Sequence, residues 1–390
     1  MSGYEVVIVG GGVMGSAAAY YLGALAGDIP IAVVEKDPSY EFCSTLRSDG
    51  NLRIQFNLEE NIRMSQYMLE LLETFADDME IDGWRPDPAP KRQGNLFLAG
   101  DDEARAQAEV GLATQQALGC EVEWLDAATI AERWPAYRTD GIVGGTFGAD
   151  DGAIDPHAVL HALRRNAIRL GVEYITGDVA AVDVANGKVA GVRLASGERL
   201  EAPVVVNCAG GWATQLVNEV GIDLPVVPVM RTVFTVETTH EGEGLPAIFA
   251  PSGAYVIAEG GKTFSMAWSR PSDPVGFDFT FSRAAFNDII WPEIVATLPE
   301  FDQLEVSGGW TGIYAVNTFD GNAILGEWPE LPGLFLANGF SGHGFQHSPA
   351  MGRHIAQLIL GREPSLDLTR FGPQRIIDGT PVPEHAGRII

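Results

Sequence analysis

Cysteine is scarce in this sequence and shows no paired spacing. The 390 residues include 3 cysteines, Cys43, Cys120 and Cys208, and none of them belongs to a CxxC motif. An odd, widely spaced set predicts neither a disulfide framework nor a zinc site, so we expect no bound metal. Free thiols persist in reducing compartments, which predicts a cytoplasmic protein.

Basic residues are also few. The chain has 25 Lys and Arg against 52 Asp and Glu, a formal net charge of -27. An acidic surface repels phosphate backbones and anionic lipid head groups, so we expect no nucleic-acid partner. The net charge does not indicate an oligomeric state. Hydrophobic residues make up 46% of the chain, enough for two globular domains.

No segment has the pattern of a signal peptide or a membrane anchor. Residues 6–27 contain no charge, but a signal peptide needs a positive n-region and the first basic residue is Lys36. A membrane helix in this window would be interrupted by Gly10–Gly12 and would lack anchoring residues at both ends. We therefore expect no transmembrane segment.

The same uncharged stretch has the pattern of a strand, a glycine turn and a helix. Val6–Val9 is a β-branched run typical of a strand buried on both faces, and Val13–Leu25 is rich in Ala and Leu, as expected for a helix. The joint satisfies GxGxxG, whose glycines allow a tight turn, backbone contact with a pyrophosphate and close helix packing. These glycines are Gly10, Gly12 and Gly15.

A second strand completes the motif. Ile31–Val34 is a short apolar run followed by Glu35, an acidic residue at the spacing expected for binding a ribose hydroxyl. A glutamate here, where an arginine would accommodate a 2′-phosphate, disfavours that group. The stretch therefore predicts a dinucleotide-binding βαβ unit with a pyrophosphate at the N-terminus of its helix.

The rest of the chain alternates between two patterns. Val204–Gly211 and residues 334–345 each run from a buried strand into glycines, whereas residues 224–270 alternate apolar and polar positions, which predicts antiparallel strands. We expect an α/β protein in which a Rossmann-type nucleotide-binding domain is interleaved with an α+β substrate domain built on an antiparallel sheet. The predicted segments are 1–85, 146–216 and 306–375 for the nucleotide-binding domain, 86–145 and 217–305 for the substrate domain, and 376–390 for a C-terminal tail.

Further motifs follow in order along the chain: CSTLRSDGNLR at 43–53, DVAAV at 178–182, NCAGGWA at 207–213, GGWTGIYAVNTFDGNAILG at 308–326 and GFSGHGFQHSPAMG at 339–352. With the glycine motif and Glu35, they resemble the FAD-dependent D-amino-acid oxidase/sarcosine oxidase superfamily over the whole chain. The two C-terminal motifs are most similar to the subgroup of FAD-dependent oxidoreductase-domain proteins. The resemblance implies that the nucleotide-binding domain takes FAD.

The resemblance also implies how FAD is bound. Members of the superfamily tether the flavin through a cysteine where this chain has Gly312, or through a histidine near Arg47, so noncovalent FAD is expected. Backbone N–H groups of the C-terminal glycine loop would stabilise negative charge on the pyrimidine edge of the reduced flavin. The implied FAD-binding residues are Gly10, Gly12, Val13, Met14, Gly15, Glu35, Lys36, Ser44, Thr45, Arg47, Ser48, Val179, Ala209, Gly210, Trp212, Gly312, Gly342, His343, Gly344, Phe345 and Gln346.

The family reaction removes hydride from a carbon beside an amine nitrogen, delivers it to flavin N5 and leaves an imine that hydrolyses. The resemblance therefore implies an FAD-dependent oxidase or dehydrogenase of a small amine, an N-methyl amino acid or a D-amino acid. The carboxylate anchors of the superfamily are replaced here by Tyr314, Gln346 and Phe56, which leaves two arginines as candidates. The candidate catalytic residues are Arg53, Arg231, Tyr255, Tyr314, His343 and Gln346.

The sequence allows more than one electron acceptor and more than one function. The oxygen-activating lysine of sarcosine oxidases aligns with Ser265, which favours a quinone or an electron-transfer flavoprotein over O2 as acceptor. The missing carboxylate anchors also allow a flavoprotein that acts mainly in binding or assembly of an electron-transfer complex. An NAD-linked dehydrogenase is a third hypothesis, which a yellow purified protein would exclude.

Overall fold

The strands and helices are numbered in chain order, and the computed structural model describes residues 3–384. The strands are β1 (Val6–Val9), β2 (Ile31–Glu35), β3 (Asn51–Leu52), β4 (Asn95–Ala99), β5 (Val122–Asp126), β6 (Gly144–Gly148), β7 (Gly152–Ala153), β8 (Glu173–Thr176), β9 (Val179–Ala185), β10 (Lys188–Leu194), β11 (Arg199–Glu201), β12 (Val204–Asn207), β13 (Val226–Thr238), β14 (Ala247–Phe249), β15 (Ala254–Gly260), β16 (Thr263–Trp268), β17 (Leu304–Asn317), β18 (Ile324–Glu327) and β19 (Leu334–Asn338). The α-helices are α1 (Val13–Ala26), α2 (Glu59–Asp78), α3 (Asp102–Ala117), α4 (Ala127–Arg133), α5 (Pro156–Arg169), α6 (Ala213–Asn218), α7 (Arg283–Ala285), α8 (Trp291–Thr297), α9 (Gly344–Ile359) and α10 (Gln374–Asp378).

A six-stranded sheet carries the glycine joint. Its order is β18-β19-β12-β1-β2-β8, and its pairs are parallel except for the edge pair of β18 with β19. Alternate residues of β1 face two layers: Val6 and Ile8 pack with α1 and α9, whereas Val7 and Val9 pack with α6 and the three-stranded sheet β9–β11. A parallel sheet covered on both faces confirms the Rossmann-type prediction.

An eight-stranded sheet forms the second part of the fold. Its order is β17-β13-β16-β15-β14-β4-β6-β5, and its pairs are antiparallel except that of β4 with β14, which confirms the predicted antiparallel sheet. The sequence analysis missed β5, α4 and β6. Glycines disfavour a strand by local propensity. Here, however, a Cβ at Gly144 or Gly145 would lie 2.3 or 2.6 Å from a carbonyl oxygen of a neighbouring strand, so close strand packing requires them.

Two strands of this sheet cross the predicted domain boundaries. β6 and β17 both pair within the eight-stranded sheet, although residues 146–148 and 306–317 were assigned to the nucleotide-binding segments. These strands therefore belong structurally with the second sheet, and the division into domains stays a prediction.

The sequence pattern predicts a last helix from Ser348 to Leu360 and a helix from Ser282 to Leu298 that Pro292 breaks or kinks. α9 begins at Gly344 instead of Ser348 and continues through Pro349. Pro349 has no N–H to donate, and the carbonyl of Phe345 accepts the hydroxyl of Ser348 at 2.9 Å instead. Pro292 lies in the first turn of α8, directly after a π-helical turn, Phe286–Ile290, so the regular α-helix between Arg283 and Thr297 is interrupted just before this proline.

The uncharged stretch at the start of the chain is explained by burial inside the fold. β1 is buried along its whole length, and α1 packs against α5 and α9. Within residues 3–384, no helix has the length and the apolar character needed to cross a bilayer.

Candidate active site

The joint between β1 and α1 requires glycine at two positions. Gly10 has a φ of +97°, and a Cβ there would lie 2.5 Å from the carbonyl oxygen of Cys208. A Cβ at Gly15 would lie 1.8 Å from the carbonyl oxygen of Gly10, so a side chain would push α1 away from β1. The close approach of helix and strand therefore depends on both glycines.

The helices α1 and α9 begin without a side-chain cap and without an acidic residue in the first turn. By contrast, α3, α4 and α5 are capped by Asp101, Asp126 and Asp155. One N–H of the first turn of α1, that of Val13, donates to the hydroxyl of Thr45 at 3.1 Å. The uncapped ends leave further N–H groups and the positive ends of two helix dipoles available to an anionic group.

Two adjoining cavities lie between the β1–α1 joint and the eight-stranded sheet. The outer cavity, at Glu35 and Trp212, has a volume of about 460 Å³, and the inner cavity, at Arg53 and Tyr314, has a volume of about 160 Å³. They share the lining residues Val13, Met14, Ser44, Thr45 and Gly210. The outer volume alone is within the range of roughly 300–1,000 Å³ that is usual for cofactor and ligand sites.

The structure brings the candidate residues together around these cavities. The outer cavity is lined by Gly10, Gly12, Val13, Met14, Glu35, Lys36, Ser44, Thr45, Val179, Ala209, Gly210 and Trp212. The inner cavity is lined by Arg47, Ser48, Arg53, Arg231, Tyr255, Gly312, Tyr314, Gly342, His343, Gly344, Phe345 and Gln346. Gly15 lies outside both linings and acts in helix packing. The sequence analysis missed further lining residues, among them Tyr40, Phe42, Phe279, Asp49, Asn51 and Phe249.

Glu35 and Lys36 are held by local contacts at the outer cavity. The carboxylate of Glu35 accepts the backbone N–H groups of Gly11 at 2.7 Å and Asp37 at 2.8 Å. The Nζ of Lys36 lies 3.3 Å from the ring centroid of Trp212, and partial burial lowers the pKa of this lysine. These contacts place one acid and one cation beside the same cavity.

Arg47 lines the inner cavity, and its hydrogen bonds go to the backbone. Its Nε donates to the carbonyl of Glu41 at 2.7 Å and its Nη1 to the carbonyl of Thr311 at 2.8 Å. Its guanidinium carbon lies 4.9 Å from the ring centroid of Phe42 and 5.2 Å from that of Phe279. Arg47 therefore ties the segment after β2 to β17.

The two candidate carboxylate anchors, Arg53 and Arg231, differ in their salt bridges. Arg231 forms a salt bridge with Asp273, which also pairs with Arg270. Arg53 is 7% exposed, forms no salt bridge with any residue of the described chain and lies 4.6 Å from the ring centroid of Phe56. Arg231 is therefore neutralised by a salt bridge. Arg53 has no such bridge, and the carboxylates of Glu384, Asp151 and Asp49 act on its charge from a greater distance.

The backbone of Arg53 is fixed by Gln346. The side-chain oxygen of Gln346 accepts the N–H of Arg53 at 2.8 Å, and its Nε2 donates to the carbonyl of Arg53 at 3.1 Å. The same Nε2 donates to the hydroxyl of Ser65 at 3.0 Å. Both ends of the amide are engaged, so the observed contacts of Gln346 position Arg53.

The histidines beside the inner cavity are uncharged. His343 is 5% exposed, its Nε2 has no hydrogen-bond partner in residues 3–384, and burial lowers its pKa well below the ordinary value. Burial also lowers the pKa of His347 to about 3, and the charge of Arg53 adds to both shifts. The cationic charge at the inner cavity therefore comes from arginine side chains.

Two tyrosines line the inner cavity as hydroxyl donors. Tyr255 donates to the carboxylate of Asp49 at 2.8 Å, and burial together with that carboxylate raises its pKa well above the ordinary value. Burial raises the pKa of Tyr314 to about 12, and its ring centroid lies 5.4 Å from the guanidinium carbon of Arg231. Both tyrosines therefore stay protonated at neutral pH.

Asp151 is a buried acid beside Arg53 that the sequence analysis did not select. It is 1% exposed, and its carboxyl accepts the N–H of Ile54 and the side-chain amide of Gln55, both at 2.7 Å. Burial raises its pKa to about 7, against the opposing effect of these hydrogen bonds and of Arg53. No pattern of spacing marks this residue, because its burial depends on β4 and β6 packing around it.

The C-terminal tail also reaches this region. Glu384 accepts the backbone N–H of Asn57 at 2.7 Å and the side-chain amide of Asn61 at 2.6 Å, at the start of α2. Asn322 donates to the carbonyl of Val382 at 2.6 Å. Part of the predicted tail is thus anchored in the fold near Arg53, and residues 385–390 lie outside the described chain.

The three cysteines are free thiols. Cys43 lines the outer cavity, and burial raises the pKa of its thiol, as it does for Cys120 and Cys208. Across residues 3–384, no group of three or more His, Cys, Asp or Glu side chains is arranged to hold a metal ion.

Comparison with known families decides what kind of protein has this site. The model of the DAO family, described as FAD dependent oxidoreductase, matches residues 5–358. The chain belongs to this family. FAD is accordingly its cofactor, and the resemblance inferred from the motifs is confirmed. The glycine joint, the uncapped helix ends and the size of the outer cavity fit a dinucleotide.

Similar proteins match over almost the whole chain. FAD-dependent oxidoreductase domain-containing protein 1 of Xenopus laevis is 32% identical over 420 residues, covering 97% of this chain and 84% of that protein. Glycine oxidase of Geobacillus kaustophilus (strain HTA426) is 26% identical over 384 residues, covering 96% and 97%. The crystal structure of L-proline dehydrogenase from P. horikoshii superposes with a TM-score of 0.86 at 24% identity, covering 98% and 100%, and confirms the fold.

Proposed function

We propose that this family member oxidises the C–N bond of a small amino acid or N-methyl amino acid. The observation that supports the proposal is Arg53, a buried guanidinium without a salt bridge in the described chain, at a cavity that continues to the β1–α1 joint. A desolvated cation of this kind favours an anionic ligand, and its planar fork matches a carboxylate.

The residues around the outer cavity would hold FAD noncovalently. The first-turn N–H groups of α1 would bind the pyrophosphate, and Glu35 would accept hydrogen bonds from the ribose. The uncapped end of α9 would favour negative charge on the flavin ring. The positions at which other members of the superfamily tether the flavin hold Gly312 and Arg47 here, so neither provides a cysteine or histidine for a covalent link. FAD, when bound, supplies the hydride acceptor for the reaction.

The residues around the inner cavity would orient the substrate and keep its charge balanced. Arg53 would bind the substrate carboxylate, and the hydroxyl of Tyr314 would remain a hydrogen-bond donor over the neutral pH range, whereas that of Tyr255 donates to Asp49. An uncharged His343 does not repel a protonated amine, as an imidazolium would. The site therefore suits a ligand that carries both an amine and a carboxylate.

We also propose that electrons leave to a quinone or an electron-transfer flavoprotein more readily than to O2. The lining of the inner cavity, within the described residues, contains arginines but no lysine. Ser265, which aligns with the oxygen-activating lysine of sarcosine oxidases, is buried within β16.

The experiment is anaerobic reduction of the purified flavoprotein by N-methyl, D- and L-amino acids and by amines without a carboxylate. We expect bleaching of the flavin absorbance by members that carry a carboxylate, followed by slow re-oxidation in air and fast re-oxidation by a quinone analogue. No bleaching with any compound would contradict the proposal and favour a role in binding or assembly. Fast re-oxidation in air would make the protein an oxidase.

A further inference from the structure

Residues 49–53 run along the wall of the inner cavity and present alternate side chains to it. Asp49, Asn51 and Arg53 line the cavity, whereas the intervening Gly50 and Leu52 do not. Asn51 and Arg53 alternate with Leu52 along β3 and its continuation, whereas the positive φ of Gly50, +73°, turns the chain between Asp49 and Asn51. This wall therefore carries an acid, an amide and a cation in a row.

Asp49 has acceptor capacity that the described chain does not use. One carboxylate oxygen accepts the hydroxyl of Tyr255 at 2.8 Å, and the other accepts the N–H of Asn51 at 3.2 Å. An ionised carboxylate has about four acceptor positions, so two remain. Within residues 3–384, no Lys, Arg or His forms a salt bridge with Asp49, which leaves its charge without a cationic partner.

The neighbours of Asp49 fix its orientation. Tyr255 is 4% exposed and stays protonated, so it acts as a permanent donor to the carboxylate. Asn51 belongs to β3, whose pairing with β7 holds the backbone on the other side. Asp49 is thus a positioned anion at a ligand cavity, in the same wall as Arg53, which forms no salt bridge in the described chain.

We propose that Asp49 accepts a hydrogen bond from the substrate nitrogen and, with Arg53, selects amino carboxylates over simple amines and simple carboxylates. Such a ligand satisfies both charges, whereas a carboxylate alone leaves Asp49 unpaired and an amine alone leaves Arg53 unpaired. The inference rests on the proposed function, since it takes the inner cavity as the substrate site.

The test uses ligand pairs that differ only in the N–H group. N-methylglycine is compared with methoxyacetate, L-proline with tetrahydrofuran-2-carboxylate, and N-benzylglycine with benzyloxyacetate. Dissociation constants are measured on the holoprotein from ligand-induced shifts in thermal unfolding, which need no turnover. We expect at least one amine member to bind about tenfold or more tightly than its oxygen counterpart. Asp49→Asn should reduce that preference by about tenfold or more, as expected for the loss of a charge-assisted hydrogen bond.

Two variants control the result. Asp49→Glu keeps the charge and should keep most of the preference, and Asp28→Asn, at an exposed acid, should leave both members of each pair unchanged. Equal losses for the amine and its oxygen counterpart in Asp49→Asn would overturn the proposal. If Asp49→Asn does not fold, a wild-type preference below about threefold in every pair overturns it equally.

The outcomes also separate this inference from the proposed function. Binding with the expected amine preference but without flavin bleaching would contradict the proposed oxidation and leave the role of Asp49 supported. Bleaching by amino acids without any effect of Asp49→Asn on the preference for the amine would support the proposed oxidation and contradict the role of Asp49. Failure of all the pairs to bind the wild-type holoprotein contradicts both.

Discussion

Replacement of Arg53 tests the proposed substrate site most directly. Arg53→Lys keeps a cation but loses the planar fork, so one of two charge-assisted hydrogen bonds to a carboxylate is lost. Such a bond contributes about 1.5–3 kcal/mol, which lowers the rate of flavin reduction per unit substrate concentration by roughly 10- to 150-fold. Arg53→Met removes both bonds and the charge. We expect a loss of about 3–5 kcal/mol, or roughly 10²- to 10⁴-fold.

The assay is anaerobic stopped-flow reduction of the bound flavin at increasing substrate concentration. For any amine without a carboxylate that reduces the wild-type flavin slowly but measurably, the same variants should change the rate by less than about threefold, because that substrate makes no bond to Arg53. Arg63→Met serves as the matched control, since Arg63 has a side chain 45% exposed and pairs with Glu59 on the surface of α2. Equal losses for substrates with and without a carboxylate would refute the reasoning. So would an effect of Arg231→Met larger than that of Arg53→Met.

Three further predictions concern the fold around the site. Gly15→Ala should weaken FAD retention by about tenfold or more, because its Cβ would clash with the carbonyl oxygen of Gly10. Flavin fluorescence after dialysis measures this retention. Gly308→Ala is the control and should retain FAD, because a Cβ there meets no neighbour. The pKa of Asp151 is about 7 in the folded chain against an ordinary 3.8, so its contribution to stability, about 4 kcal/mol, is present at low pH and is lost as the pH rises to 7. The urea unfolding free energy of the wild type should therefore fall relative to that of Asp151→Asn between pH 5 and pH 8. A constant difference between the two proteins would contradict this. Asp320→Asn should lower the unfolding free energy by about 3–5 kcal/mol, because it leaves the buried cation of Arg375 without its salt bridge. The side chain of Asp320 is 0% exposed and that of Arg375 is 5% exposed. A loss below about 1 kcal/mol would show that this pair is dispensable.

The cofactor part of the site was largely predictable because its signals are local. Gly10 and Gly15 are required by a turn and a helix contact that lie within six residues of each other. The position of Glu35 was predictable because the ribose-binding acid lies at the end of the second strand of the βαβ unit. The start of α9 was missed because Pro349 indicates a helix boundary, and only the contact of Ser348 with Phe345 shows how the helix tolerates it.

The substrate part was only partly predictable. The sequence left Arg53 and Arg231 as candidate carboxylate anchors, and it did not select Asp49, which precedes Arg53 in the same motif. The pairing of Arg231 with Asp273 joins β13 to the segment after β16. Glu384 reaches the start of α2 from the far end of the chain.

The sequence by itself determined the glycine joint, the family and the parallel and antiparallel character of the two sheets, although not every strand in them, because strand periodicity, turn chemistry and motif order are properties of short segments. The tertiary structure alone decided which charges at the inner cavity are paired, buried or exposed. Those properties depend on side chains that meet across large separations in the chain. A residue type and its spacing do not specify them.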